Sequence, residues 1–238
     1  PVGDYQLLVV NTPEVPAPEL RSAIRWLIHD MIDYHVDDAV LDVFDAPPGG
    51  PNNLQQQMYV VVARSTAVKQ RIDRLEQAGV NLEIIDIPEL AMRNIAASLP
   101  EDENGLLMLH FDRDECIITI TRQGNLYLTR TLDIGYRQLQ ETAADPQPLV
   151  NRLTLEIQRS MDYFERHFQL APVRSLVILP PPLPVQDIAD ALQGMLGITT
   201  RILKLGEVVE CDSEPEATVA AQYLLATGAA LRTETVAL

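Results

Sequence analysis

The first third of the chain alternates between two patterns of apolar residues. Short apolar runs, typical of strands, alternate with segments in which apolar residues recur every three or four positions, typical of amphipathic helices. The predicted strands are 5–10, 39–44, 58–63 and 80–87. One predicted helix has Pro18 in its first turn, and the other has Ser65 as its N-terminal cap. The resulting order, βαββαβ, is the split βαβ pattern of a ferredoxin-like unit. The stretch 46–53, rich in proline and glycine, predicts a loop between the second and third strands.

The remainder of the chain predicts a second group of elements. The predicted strands are 106–111, 116–121, 126–132, 175–179 and 200–203, and the predicted helices are 89–98, 148–168, 184–196 and 214–231. Three meandering strands followed by alternating helices and strands are typical of one half of a ribonuclease-H-like or actin-like fold. We therefore expect an α/β (α+β) protein with two domains, 1–87 and 88–238.

Trp26, the only tryptophan, lies in the first predicted helix beside Arg25. The apolar stripe of this helix comprises Leu20, Ile24, Leu27, Ile28 and Met31. Trp26 lies roughly 200° around the helix from Ile24, off the centre of that stripe. Two interpretations remain open: Trp26 and Arg25 contribute to an interface with a partner or a neighbouring subdomain, or Trp26 packs in a second core face.

Charge and glycine usage exclude several classes of function. The formal net charge of -16 repels nucleic acid and anionic lipid surfaces. The chain contains no GxxxxGK and no GxGxxG, which argues against a P-loop or Rossmann nucleotide site.

Cysteine usage and the two ends of the sequence give weaker indications. Cys116 and Cys211 lie far apart and form no CxxC, which favours a reducing compartment, and Cys116 is expected to be a buried structural thiol. We see no signal peptide and no apolar stretch long enough to span a bilayer. Since the sequence begins with Pro1 and not Met, we expect that it lacks part of its natural N-terminus.

Two short stretches could carry chemistry. The acidic turn Asp112-Arg113-Asp114-Glu115 after His110 could hold a divalent cation, although a solvated hairpin turn is the favoured interpretation. Asp133-Ile134-Gly135 could end a phosphate loop, or it could be a strand-to-helix turn that needs glycine for backbone reasons. The four histidines show no HExxH spacing, and we expect no metal site.

Four longer stretches resemble one family of pilus assembly proteins. They are PELRSAIRWLIHDMIDYHVDDAVLDVFD (18–45), GVNLEIIDIPELAMRN (79–94), ITRQGNLYLTRTLDIGYRQL (120–139) and LVNRLTLEIQRSMDYF (149–164). Together and in this order, they resemble the PilM family, most closely its MshI branch from MSHA-type pili. The resemblance implies an actin-like ATPase fold, truncated here, with most of the first subdomain upstream of Pro1. It also implies that the βαββαβ unit is an inserted 1C-type subdomain and that 88–238 is an actin-like (2A-like) lobe.

The same resemblance implies a degenerate nucleotide site. At the second phosphate loop, the family's Asp and Gly fall on His110 and Asp112, and Asp114 adds a further negative charge. The glycine pair of the adenosine motif falls on Pro181 and Pro182, which have no N–H to donate. The resemblance therefore implies a pseudo-ATPase that is not an enzyme and has no cofactor.

The implied partner is a bitopic membrane protein resembling PilN or MshJ, bound through its short cytoplasmic N-terminal tail. A pilus assembly ATPase is a possible second partner, and the chain could form a homodimer. The implied location is the cytoplasm, peripheral to the inner membrane, in a type IV pilus machine. Two alternatives remain: the actin-like cytoplasmic module of a type II secretion platform that binds a secretion ATPase, and an active actin-like ATPase.

Overall fold

The computed structural model of the chain describes residues 4–50, 55–211 and 215–233. Residues 51–53 of the predicted loop and Glu214, the predicted start of the last helix, lie outside these ranges. The described chain divides into two compact units, the first ending at Ile85 and the second beginning at Asp86.

The first unit is a small antiparallel sheet with two helices. Its elements are β1 (Tyr5–Asn11), α1 (Ala17–Ile28), a 3-10 turn (Val36–Asp38), β2 (Ala39–Asp45), β3 (Gln57–Arg64) and α2 (Ser65–Gln77). The strand order is β1-β3-β2, with Leu8 opposite Val60 and Leu41 opposite Val62. Ser65 is the first residue of α2 and not its cap, and its hydroxyl donates to the Asp38 carbonyl instead.

Alternating strand residues and the stripe of α1 form the core of the first unit. Ile24 and Ile28, one helical turn apart, are fully buried against strand residues such as Val60 and Val62. Leu20 and Leu27 pack at the edge of the same cluster. Met31, which the pattern placed in this stripe, follows the end of α1 and is exposed.

The predicted strand 80–87 is wrong, because this segment has no regular secondary structure. Gly79 ends α2 with a positive φ of 73°, and the Val80 N–H donates to the Leu75 carbonyl in a helix-terminating turn. Ile84 and Ile85 are exposed. An apolar run becomes a strand only where another strand can pair with its backbone, and the described part of the first unit supplies no partner here. The observed order is therefore βαββα.

The second unit confirms the predicted elements and adds three short helices. In chain order, the elements of the second unit are α3 (Pro88–Ala97), a 3-10 turn (Pro100–Glu103), β4 (Leu106–Phe111), β5 (Cys116–Arg122), β6 (Asn125–Leu132), α4 (Tyr136–Glu141), α5 (Gln147–Phe168), β7 (Ser175–Ile178), α6 (Gln186–Leu196), β8 (Thr199–Ile202), a 3-10 turn (Leu205–Glu207) and α7 (Ala217–Ala230). The added helices are α4 and the two 3-10 turns. The strand order is β6-β5-β4-β7-β8. Strands β4 to β6 are antiparallel, whereas β7 lies parallel to β4 and β8 parallel to β7.

Helices cover this sheet on both faces. On one face, α5 and α6 bury residues such as Leu153, Ile157 and Leu192 against alternate strand residues such as Ile118. On the other face, α3 packs on β5 and β6 and directly against α7. Such double coverage explains why the central strands read as continuous apolar runs.

Candidate functional site

The carboxyl ends of β4 and β7 place two of the predicted site segments at one edge of the second unit. The strands are parallel neighbours, and the Leu179 N–H continues their pairing by donating to the Leu109 carbonyl at 2.8 Å. The acidic hairpin, residues 112–115, follows β4, and the proline segment 180–182 follows β7. In open α/β sheets, ligands bind outside the carboxyl ends of strands, so this edge is the candidate position for a ligand site.

The first two backbone N–H groups of the acidic hairpin form hydrogen bonds within the hairpin itself. The Asp112 N–H donates to the Glu115 carbonyl at 2.8 Å, and the Arg113 N–H donates to Oδ1 of Asp112 at 2.7 Å. A phosphate-binding loop presents such N–H groups to the ligand. Here both groups are already paired within the turn.

The start of α4 packs on this hairpin. The Tyr136 N–H donates to the Asp112 carbonyl at 2.8 Å, and the Arg137 N–H donates to the Arg113 carbonyl at 3.1 Å. Arg137 also forms an ion pair with Asp114 at 2.7 Å. Backbone and side-chain contacts thus fix the hairpin against the turn that follows β6.

Gly135 makes that packing possible. A Cβ atom at this position would lie 2.1 Å from the Arg113 carbonyl oxygen and 2.3 Å from the Asp114 nitrogen. This close approach supports the backbone interpretation of Asp133-Ile134-Gly135.

The electrostatics of the edge disfavour a bound phosphate. Burial raises the pKa of the Glu115 carboxyl, and the nearby carboxylates Asp133, Asp112 and Asp114 raise it further. One carboxylate oxygen of Glu115 is buried and has no hydrogen-bond partner among the described residues. Burial lowers the pKa of His110 although Asp112 opposes this shift, so His110 is neutral at pH 7 and adds no positive charge.

The proline segment offers no backbone donor at its central positions. Pro180 and Pro181 are buried, and Pro182 is half-buried. All three lack an N–H, and their φ angles are fixed by the ring. The structure therefore brings Pro181 and Pro182 to the same sheet edge as Asp112. None of the three prolines can donate a backbone N–H to a ligand, as a glycine at these positions could.

No group of three or more His, Cys, Asp and Glu side chains within the described ranges is arranged to hold a metal ion. In the same ranges, no helix has the length and apolar character needed to cross a membrane.

Arg25 and Trp26 have different environments in the first unit. Arg25 donates to the Val36 carbonyl at 2.5 Å and the Ala39 carbonyl at 3.2 Å, and so ties α1 to the start of β2. The Trp26 side chain is 79% exposed. The core interpretation of Trp26 is therefore wrong, and Arg25 is engaged within its own unit.

A further surface feature was not predicted from the sequence. Side chains of α5 and β6 line a groove of 540 Å³: Arg130, Arg159, Asp162, Tyr163, Arg166 and His167. The available signal was the spacing of Arg152, Arg159 and Arg166, seven residues apart on one helix.

Comparisons with known proteins give a family match and a structural match. A family model described as "Type IV pilus assembly protein PilM" matches residues 13–146, more than half of the chain. A comparison with curated proteins finds no match.

Among solved structures, the chain is similar to the "PilM-PilN type IV pilus biogenesis complex", with a TM-score of 0.77 and 21% identity, over 96% of this chain and 76% of that one. It is also similar to the cytoplasmic domain of EpsL, an inner membrane component of the type II secretion system of Vibrio cholerae. That match has a TM-score of 0.52 and 16% identity, over 97% of this chain and 72% of that one. The chain has an actin-like ATPase fold, as expected from the order of its elements.

Proposed function

Because the chain belongs to the PilM family of type IV pilus assembly proteins, we propose that it is a non-catalytic scaffold of an MSHA-type pilus machine. The assembly role follows from the family, whereas the MSHA type and the lack of catalysis are our proposal. In this proposal the first unit is the inserted 1C-type subdomain and the second is the actin-like lobe. The observed division between Ile85 and Asp86 lies two residues before the predicted boundary between 1–87 and 88–238. The proposed location is the cytoplasmic side of the inner membrane.

The observation that carries the pseudo-ATPase assignment is the state of the sheet edge beyond β4 and β7. The two N–H groups at the start of the hairpin, those of Asp112 and Arg113, are paired inside the turn. Carboxylates surround Glu115, and prolines occupy 181 and 182. Phosphate binding there would require breaking hydrogen bonds and bringing anions together, and the one basic residue on the two segments, Arg113, stands among three carboxylates in the same turn.

A melting experiment tests this assignment. A ligand at a hundred times its dissociation constant stabilises a protein by about 2.7 kcal/mol, which a thermal melt detects readily. We expect millimolar Mg-ATP to leave the melting temperature unchanged, as millimolar Mg²⁺ alone does. An ATP-specific increase would contradict the pseudo-ATPase assignment.

The proposed partner is the cytoplasmic N-terminal tail of a PilN/MshJ-like membrane protein. The solved complex of PilM with PilN supports this choice, since its fold is that of the present chain. In the first unit, Trp26 provides a large exposed aromatic surface on α1, and tryptophan is enriched among residues that dominate binding energies. Arg25 contributes indirectly in this proposal, by fixing α1 against the turn before β2.

The unique tryptophan makes the partner testable. Titration with a synthetic peptide of the partner's N-terminal tail is expected to shift Trp26 emission, and Trp26→Ala is expected to weaken binding by more than about 1 kcal/mol. Tyr223→Ala is the matched control, because Tyr223 is an exposed aromatic of the second unit. Peptide binding with unchanged emission and undiminished affinity in Trp26→Ala would remove Trp26 from the interface. The absence of any peptide binding would contradict the proposed partner.

A further inference from the structure

The outer side of α5 carries an exposed stripe that differs in character from the rest of this acidic chain. The stripe consists of Arg152, Leu155, Arg159, Tyr163 and Arg166. Spacings of three and four residues place all five on one side of the helix. Leu155 and Tyr163 are 46% and 43% exposed, so apolar surface lies between the guanidinium groups.

A groove runs between this stripe and β6, the outermost strand of the sheet. In the described part of the second unit, β6 pairs only with β5, and Arg130 of β6 lies across the groove from α5. Glu156 contacts Arg130 at 3.6 Å and Arg159 at 2.6 Å. One carboxylate thus holds two guanidinium groups side by side, which reduces the entropy cost of using them in binding.

The charges of the groove are not balanced internally. Three arginines face two carboxylates here: Asp162 lines the groove, and Glu156 pairs with Arg130 and Arg159. Arg166 has no acidic partner among the residues that the structure describes. Tyr163 stacks on His167 with ring centroids 4.9 Å apart, which gives the groove an aromatic wall. Arginine and tyrosine are the residue types enriched in the energetic centres of protein interfaces.

We propose that the groove between β6 and α5 binds an acidic segment of a partner protein. Carboxylates of the segment pair with Arg166 and share Arg130 and Arg159 with Glu156, and the segment's apolar side chains cover Leu155 and Tyr163. This surface lies wholly in the second unit and is independent of the tail-binding role proposed for the first.

The net charge favours a short protein segment over nucleic acid as the occupant. A chain of formal charge -16 repels a duplex that carries one charge per about 1.7 Å. A segment with a few carboxylates experiences mainly the local guanidinium groups, because screening acts over about 8 Å at physiological salt.

The test is a polarisation titration of the full chain with a fluorescein-labelled peptide of four Glu-Glu-Leu repeats. Its control peptide has Gln in place of Glu. We expect the acidic peptide to bind more tightly than the control, with affinity falling as NaCl is raised. Reversing the charge of the two exposed groove arginines in Arg159→Glu/Arg166→Glu should raise the dissociation constant at least ~10-fold.

The matched control variant is Arg113→Glu/Arg174→Glu, which makes the same change in net charge at exposed arginines outside the groove. It should alter affinity less than ~2-fold. Failure of the acidic peptide to bind, equal binding of the Gln peptide, or equal losses in both variants would overturn the proposal. So would displacement of the peptide by millimolar inorganic phosphate, which would indicate a small-anion site. Self-association abolished by Arg159→Glu/Arg166→Glu would identify a second copy of the chain as the occupant and would also overturn the proposal.

Discussion

Gly228 in α7 allows a close backbone approach to α3, the helix beside it on one face of the second unit. A Cβ atom at this position would lie 2.3 Å from the carbonyl oxygen of Ala91 in α3 and 2.8 Å from its carbonyl carbon. The obstacle is backbone, so no side-chain rotation can relieve it. The Gly228 carbonyl also accepts a buried hydrogen bond from Nδ2 of Asn94 at 2.9 Å. Gly228→Ala must therefore separate α3 from α7 and strain this hydrogen bond.

The opposing contributions to Gly228→Ala have different magnitudes. Alanine within a helix is favoured over glycine by about 0.5–1 kcal/mol. Overpacking a close contact costs about 1–3 kcal/mol, and weakening a buried hydrogen bond adds a cost of up to about 1–3 kcal/mol. We therefore expect Gly228→Ala to lower the free energy of unfolding by about 1–3 kcal/mol, in spite of the better helix propensity.

Gly194 provides the matched control, because it is a helical glycine of α6 with no atom within 4 Å of a Cβ built on it. Gly194→Ala should raise the free energy of unfolding by about 0.5–1 kcal/mol. Urea unfolding followed by far-UV circular dichroism measures both variants on the same scale. The same substitution thus has opposite expected signs at two positions. A neutral or stabilising Gly228→Ala would refute the inference that this backbone contact limits the packing of α3 on α7.

Three further predictions concern titration, the first unit and the thiols. Burial lowers the pKa of His110, so below about pH 6.5 the unfolded chain binds a proton at this site more readily than the folded chain does. The contribution of His110 to the free energy of unfolding is therefore complete above about pH 6.5 and is lost as the pH falls through the pKa of His110 in the folded chain. Urea unfolding at several pH values should show this decline, His110→Gln should reduce it, and an NMR-measured pKa above about 6.5 would contradict it. Arg25→Gln removes two hydrogen bonds to carbonyls and should cost about 1–2 kcal/mol in urea unfolding. Trp26→Ala should cost less than about 0.5 kcal/mol. A larger loss of stability for Trp26→Ala than for Arg25→Gln would contradict the exposed position of Trp26 and the hydrogen-bonded position of Arg25. Cys211 is exposed whereas burial raises the pKa of the Cys116 thiol, so Ellman's reagent should label one thiol in the native chain and two in guanidinium; rapid labelling of both without denaturant would count against the buried thiol.

The local sequence determined the type and order of nearly all elements, because hydrophobic periodicity reports which side of a segment faces a core. In α5, buried residues such as Leu153, Ile157 and Phe164 recur at spacings of three and four, and the predicted and observed ends of this helix differ by one residue at its start. The βββ meander was equally predictable, since the turn Gln123-Gly124 requires left-handed backbone at both positions. The acidic and proline-rich composition of the candidate sheet edge was likewise visible in the sequence.

Where a segment needs a distant partner, the sequence was insufficient. Residues 80–87 have the apolar pattern of a strand, yet strand formation requires another backbone to pair with, and no local pattern encodes that partner. Trp26 raised the same difficulty, because its position off the apolar stripe fitted both an exposed side chain and a second core face. Only the packing of the first unit decided that it is exposed.

Close backbone contacts and surface grooves were decided by tertiary structure alone. The need for glycine at 135 and 228 comes from Arg113 and Ala91, which are 22 and 137 residues away in the chain and approach within a few ångströms only after folding. The groove likewise combines Arg130 of β6 with the regularly spaced arginines of α5. Periodicity along one helix reveals such a stripe, but which strand lies beside it depends on long-range pairing. Sequence patterns therefore determined what each segment is, and the tertiary fold determined which segments act together.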